Sequence, residues 1–122
     1  MSMIVPYLTF RHGEDSVSFL VDVLGFEEVT KQLADDGSVV HCELTRGDAV
    51  LMGGSGDVAV GAAPGVYLVV EEVPELFARA IERGATVVFD PEQTEWGTWR
   101  ARFRDPDGHE WTIGTYQPGQ SW

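Results

Sequence analysis

The densest run of chemistry-bearing side chains is "FRDPDGHEWTIGTY" (103–116), where Asp105, Asp107, His109 and Glu110 crowd around one turn signal. Carboxylates and an imidazole at that density are the raw material of a metal centre or an acid/base pair. A divalent metal needs three or four His or carboxylate donors converging at about 2 Å. His109 and Glu110 are adjacent, so in a strand they point to opposite faces and cannot hold one ion together. "DPDG" itself reads as a turn. His109, directly after the turn glycine, reads as a surface or turn-bracing residue, whereas Glu110 shares a face with Thr112.

The same period-two alternation sorts the other candidates. In "VVHCEL" (39–44), Val40, Cys42 and Leu44 form an apolar face for a helix, leaving His41 and Glu43 on the opposite face. In "TWRARF" (98–103), Trp99, Ala101 and Phe103 go to the helix side, and Arg100 and Arg102 to the other. On the first strand of each half, Tyr7 and Thr9, and Tyr67 and Val69, should look the same way. Two chemistries fit this set. One is a ligand site with anchoring arginines and an acid/base pair in His41 and Glu43. The other is an internal ion-pair network, with Glu43 and Glu110 neutralising Arg100 and Arg102, because inward-facing charges need a ligand or each other. Cys42, on the helix side, is not placed as a nucleophile. Trp99 and Trp111 are expected in the core. Trp96, in "TEWGT", and the terminal Trp122 are placed to stack on a planar ligand or close a dimer. For Trp122, packing onto its own subunit or a partner is the leading reading.

The elements that must position these residues come twice. "IVPYLTF" (4–10) reads as a strand with Pro6 near its start or at an edge. "DSVSFLVDVLG" (15–25) reads as a helix with Asp15 as N-cap, Val17, Leu20, Val21 and Leu24 as its apolar stripe, and Gly25 as a left-handed cap. "FEEVTKQL", "VVHCELT" and "AVLMG" follow as strands, the first two joined by a "DDG" turn. After "GSGDVAVGAAPG" (54–65), a Gly/Ala-rich stretch without the lysine or following helix of a phosphate loop, the order recurs. "VYLVV" is a strand and "VPELFARAIERG" a helix, with Pro74 in its first turn, Gly84 past its end and Leu76, Phe77, Ala80 and Ile81 as its stripe. "ATVVFD", "TWRARFR" and "HEWTIGTY" are three strands. Gly25 to Gly84 and Leu44 to Phe103 are each 59 positions apart, and Gly47 to Gly108 is 61, the "DPD" turn absorbing the difference. A repeat at this period is the main architectural fact. The expected fold class is α+β: two tandem βαβββ modules forming a curved mixed sheet with a concave cleft and helices on its outer face. Module one spans about 1–53, a connector 54–64, and module two about 65–116, all within one domain, 1–122.

"FLVDVLGFEEV" (19–29), "VEEVPELFARAIERGATVV" (70–88) and "FRDPDGHEWTIGTY" (103–116), at these distances, resemble the vicinal oxygen chelate superfamily over nearly the whole chain. That superfamily includes glyoxalase I, extradiol dioxygenases and bleomycin-resistance proteins, and the closing motif looks most like its glyoxalase-like and antibiotic-binding members. The resemblance implies a homodimer with clefts completed at or near the interface. It also implies metal ligands, where metal is used, on the first and last strands of each module. Those positions align here with Val5, Leu51, Gly65 and Thr112, none of them a His or carboxylate, so no metal or other cofactor is expected.

Composition limits the partners. The chain has 122 residues and 43% hydrophobic content, enough for one modest core. Its net charge of −12 repels phosphate backbones, so nucleic acid is not an expected partner, and a cationic ligand would be attracted. No apolar run approaches the ~20 residues of a membrane span. No secretory leader is apparent, and the lone Cys42 forms no internal disulfide, which together favour the cytoplasm. Two functions follow. The first is a metal-free binder of an aromatic or cationic small molecule, resembling the drug-sequestering branch, with Tyr7, Thr9, His41, Glu43, Tyr67, Trp96, Arg100, Arg102, Glu110 and Thr112 as ligand contacts. The second is a lyase, isomerase or dioxygenase of the same superfamily, with His41 and Glu43 as catalytic candidates. An accessory domain whose ligand is lost, or is another protein, is the remaining option.

Overall fold

The structure, a computed structural model, describes residues 3–57 and 65–118. Trp122 and most of the expected connector lie outside them. Packing divides the chain into two compact units, Met1–Ala62 and Ala63–Trp122. Each has the order strand, helix, three strands.

In the first unit, β1 (Tyr7–Phe10) precedes α1 (Glu14–Asp22), β2 (Glu27–Leu33), β3 (Val39–Arg46) and β4 (Ala49–Ser55). The sheet order is β1-β4-β3-β2, with β1 parallel to β4 and the other pairs antiparallel. β1 is an edge strand, so Pro6, just before it, removes no ladder donor. β4 runs through Ser55, past the expected start of the connector. The second unit repeats this with β5 (Val66–Val69), α2 (Val73–Glu82), β6 (Thr86–Gln93), β7 (Trp99–Arg104) and β8 (Glu110–Gly114), in the order β5-β8-β7-β6. The α+β class and the tandem βαβββ modules are therefore present, as two four-stranded mixed sheets.

Alternation explains each core. Leu8, Phe10, Cys42, Leu44 and Leu51 are buried in the first unit with Val17, Phe19, Leu20 and Leu24 from α1 and the residues after it. Leu68, Ala101, Phe103, Trp111 and Ile113 are buried in the second, beneath Val73, Leu76, Phe77 and Ala80 of α2. Phe77 meets Phe103 edge-on, with ring centroids 6.3 Å apart. Both helices end as expected at a glycine with positive φ, Gly25 at 78° and Gly84 at 100°.

Three expectations fail for physical reasons. Asp15 is not the N-cap of α1. Gly13 holds that position, and the buried Ser16 hydroxyl accepts the His12 amide at 3.1 Å instead. Val40 is 52% exposed and Val39 takes its place in the core. The cause is a bulge: Gln32 pairs with His41 but Leu33 pairs with Val39, so Val40 is skipped and the face flips. Trp99 is 36% exposed rather than core, at the first position of β7 directly after the turn closed between Thr94 and Thr98.

Candidate functional site

The face of the second sheet turned away from α2 carries a concave site of about 840 Å³, lined by Tyr67, Phe89, Glu92, Arg100, Arg102, Glu110 and Thr112 with Gly65 and Val66. Register builds it. Tyr67 pairs with Thr112, Thr112 with Arg102, and Arg102 with Phe89, one row across all four strands. In the next row Gly114 pairs with Arg100 and Arg100 with Glu92.

The charges on this face are only partly spent on each other. Arg100 Nε donates to Glu92 Oε1 at 2.7 Å. Arg102 Nε donates to the Thr112 hydroxyl at 2.8 Å, while its Nη1 stands 3.7 Å from Glu110 Oε1. Glu110 Oε2 lies closer to Arg104, accepting from Nη2 at 3.3 Å. The guanidinium carbons of Arg100 and Arg102 lie 5.7 and 5.2 Å from the centroid of the Phe89 ring. The Tyr67 hydroxyl donates to the Tyr116 carbonyl at 2.9 Å, and burial pushes its phenol pKa up. The Tyr67 ring lies over Gly114, where any Cβ would run into its hydroxyl.

On the corresponding face of the first unit, His41 Nε2 and Glu43 Oε2 are 2.8 Å apart. An ionised carboxylate only accepts, so Nε2 carries the proton. Tyr7 is beside them, its ring centroid 6.4 Å from that of His41. Tyr7 and Glu43 both pair with Met52. Thr9, on the same face of β1, is half-buried, and Trp96 stands 80% exposed at the β6–β7 turn. Cys42 is fully buried, and desolvation raises its thiol pKa, the opposite of an activated nucleophile.

Of the anticipated network of Glu43 and Glu110 with Arg100 and Arg102, Glu110 does pair with Arg102, at 3.7 Å, while Glu43 bonds His41 and Glu92 bonds Arg100. Sequence reasoning missed Phe89, Glu92 and Arg104. The signal for Glu92 was available, since a hairpin closed over Thr94–Thr98 sets Gln93 opposite Trp99 and Glu92 opposite Arg100.

The acidic stretch that first drew notice is a braced turn. Asp105 is buried, and its Oδ1 accepts the amides of Asp107 at 3.0 Å and His109 at 2.9 Å. Its Oδ2 accepts the Trp111 indole N–H at 2.9 Å. Among the described residues no group of three or more His, Cys, Asp or Glu side chains could hold a metal ion.

Residues 8–113 match the family model described as Glyoxalase/Bleomycin resistance protein/Dioxygenase superfamily. The chain belongs to that superfamily. Among solved structures of similar fold, TioX from Micromonospora sp. ML1 is 28% identical, with a TM-score of 0.75 over 96% of this chain and 100% of that one. A bleomycin resistance determinant encoded on transposon Tn5 is 21% identical, with a TM-score of 0.67 over 96% and 99%, a likeness of fold. An uncharacterised protein of Mycobacterium bovis is 29% identical over 89% of this chain and 80% of its own length.

Register identifies the residues at the superfamily's metal positions. Thr112 pairs with Arg102 and Tyr67; the residue in the same relation to Glu43 and Tyr7 is Met52, not Leu51. Leu51 points into the core opposite Leu44, as Trp111 does opposite Phe103. The four positions thus hold Val5, Met52, Gly65 and Thr112. A thioether and a hydroxyl do not replace the imidazoles and carboxylates of a divalent site, so the residues present do not fit the metal.

Proposed function

We propose that this protein is a metal-independent small-molecule binder of the superfamily, which captures a planar ligand and acts by sequestration. The observation that carries this reading is the site on the second sheet, where Tyr67 and Phe89 offer ring surface beside guanidiniums with unspent donors. The site's volume is in the range usual for ligand pockets, and its lining is unusually rich in charge. The lack of His or carboxylate side chains at the superfamily's ligand positions supports a metal-free mode, and a bleomycin resistance determinant shares the fold. A homodimer in the cytoplasm is part of the same reading.

A second reading, a metal-free lyase or isomerase, is favoured by the His41–Glu43 pair at 2.8 Å, which has the geometry of an oriented general base. A dioxygenase would need redox chemistry that these side chains do not supply.

One experiment separates the two. The protein is screened by thermal shift against divalent metals, aromatic antibiotics, and 2-oxo aldehydes with glutathione, with each aldehyde also followed for consumption. Capture predicts a shift with one or more aromatic compounds, equivalent to about 2.7 kcal/mol at a hundredfold excess over Kd, at one ligand per site and without turnover. Aldehyde consumption that disappears in His41→Gln would replace capture by catalysis. Stoichiometric metal whose chelation abolishes ligand binding would overturn the metal-free reading.

A further inference from the structure

We infer that the site on the second sheet takes a planar aromatic acid, with the carboxylate held between Arg100 and Arg102 and the ring laid on Tyr67. This deepens the capture reading above and rests on it.

The charge on this face favours an anion. The ion pairs on this face involve three guanidiniums, of Arg100, Arg102 and Arg104, and two carboxylates, of Glu92 and Glu110. A surplus positive charge on a chain of net −12 runs against the composition. Arg102 has given Nε to a neutral hydroxyl, and its terminal nitrogen lies 3.7 Å from Glu110, outside hydrogen-bond range. Two guanidiniums on consecutive same-face positions repel, and both lean on the one Phe89 ring. Each fork retains donors in the planar arrangement that matches a carboxylate. A bound carboxylate would satisfy those donors and relieve the repulsion together.

The span of the site favours a two-ring acid. Tyr67 and Arg102 are two strands apart in one row, with Thr112 between them. Two strand spacings are about 10 Å, roughly the length of a two-ring aromatic acid. Gly114, beside Arg100 in the next row, has no side chain, which lets the Tyr67 ring lie along the sheet as a floor. Gly65 at the rim adds no side chain either.

The test is calorimetric titration of the full-length protein with 2-naphthoate, 2-naphthalenemethanol and 2-naphthylmethylamine, which share a ring system and differ in charge. The expected result is at least tenfold tighter binding of the acid than of the alcohol or the amine. Arg102→Gln should remove that preference, weakening acid binding at least tenfold more than alcohol binding, and Arg102→Lys should restore it only in part, because an ammonium lacks the fork. Glu92→Gln, which frees Arg100, should tighten naphthoate binding; a purely structural ion pair predicts no gain. Aromatic probes that bind with no preference for the acid would sink this inference and leave capture standing. Failure of all three probes to bind would overturn both. Arg102→Gln is checked by its melting curve, and the Glu92→Gln gain remains decisive if that variant unfolds.

Discussion

Asp105 holds the second module's closing turn through three hydrogen bonds to one carboxylate, and two of its donors are backbone amides of the turn itself. The residue therefore belongs to folding, although its neighbours look catalytic in sequence. Asparagine at this position keeps the Oδ1 acceptor but turns an N–H donor toward the Trp111 indole N–H. Asp105→Asn should cost about 1–3 kcal/mol at neutral pH, the usual penalty for an unmatched buried donor, read by denaturant unfolding. Acid should widen the gap. Burial raises the Asp105 pKa above its ordinary 3.8, ahead of the lowering by the Trp111 indole and the His109 amide. A folded-state value above the unfolded one contributes stability that is complete below the unfolded pKa and lost as pH rises through the folded pKa. The wild type should thus gain on the variant as pH falls from neutral toward about 4. A gap that narrows over that range would mean the hydrogen bonds outweigh desolvation.

At the scale of elements, each first-strand tyrosine crosses a glycine on the neighbouring parallel strand. Tyr7 lies near Gly54 and Tyr67 lies against Gly114, where an added Cβ would collide with the phenol. Gly114→Ala should swing the Tyr67 ring off the sheet, break its bond to the Tyr116 carbonyl, and weaken aromatic ligand binding several-fold with the arginines untouched. Restored binding in the double variant with Tyr67→Phe would identify the hydroxyl as the colliding group, since the same ring without that oxygen can stay on the sheet. This pairing could be read from the sequence: the repeat sets Tyr7 and Gly54 each 60 positions before Tyr67 and Gly114. The element order and both left-handed glycines were equally legible, because hydrophobic period and glycine placement are local signals; the helix stripes were legible in part, since Val21 and Ile81 are half-buried while Phe19 and Val23 are core. Register was not. Val29 and Val88 are skipped by matching bulges, Val40 by one on β3, and the residues between Phe89 and Glu92 by another on β6. A bulge shifts the face of every residue beyond it and leaves no mark in a period-two pattern. Val40 was thereby misassigned and Phe89 overlooked, whereas His41 and Glu43, on the regular stretch of β3, came out on one face as read. Leu51 was aligned where Met52 belongs for a related reason: loops of different length separate β3 from β4 and β7 from β8.

For the whole molecule, the two modules share a plan and differ in what they present. One exposes an imidazole–carboxylate pair beside Tyr7, the other a guanidinium cluster beside Tyr67. A duplicated scaffold supplies equivalent positions, and side-chain choice at those positions makes them chemically distinct. The total charge of −12 then acts against the local charge of the second site. An approaching carboxylate meets the far field of the whole chain first, and the guanidiniums only within about a Debye length, near 10 Å at 0.1 M salt. Far-field repulsion is screened by salt; contacts at hydrogen-bond distance in a concave site are screened much less. The association rate of 2-naphthoate should therefore rise several-fold between roughly 0.01 and 0.2 M salt, where the Debye length contracts from ~30 Å to below 10 Å, with a smaller change in dissociation rate. The matched amine should show the opposite sign, its association slowing as salt removes the attraction that collects it. Stopped-flow quenching of the protein's tryptophans measures both. An association rate for the acid that falls with salt would mean the arginine cluster, not the net charge, governs the encounter.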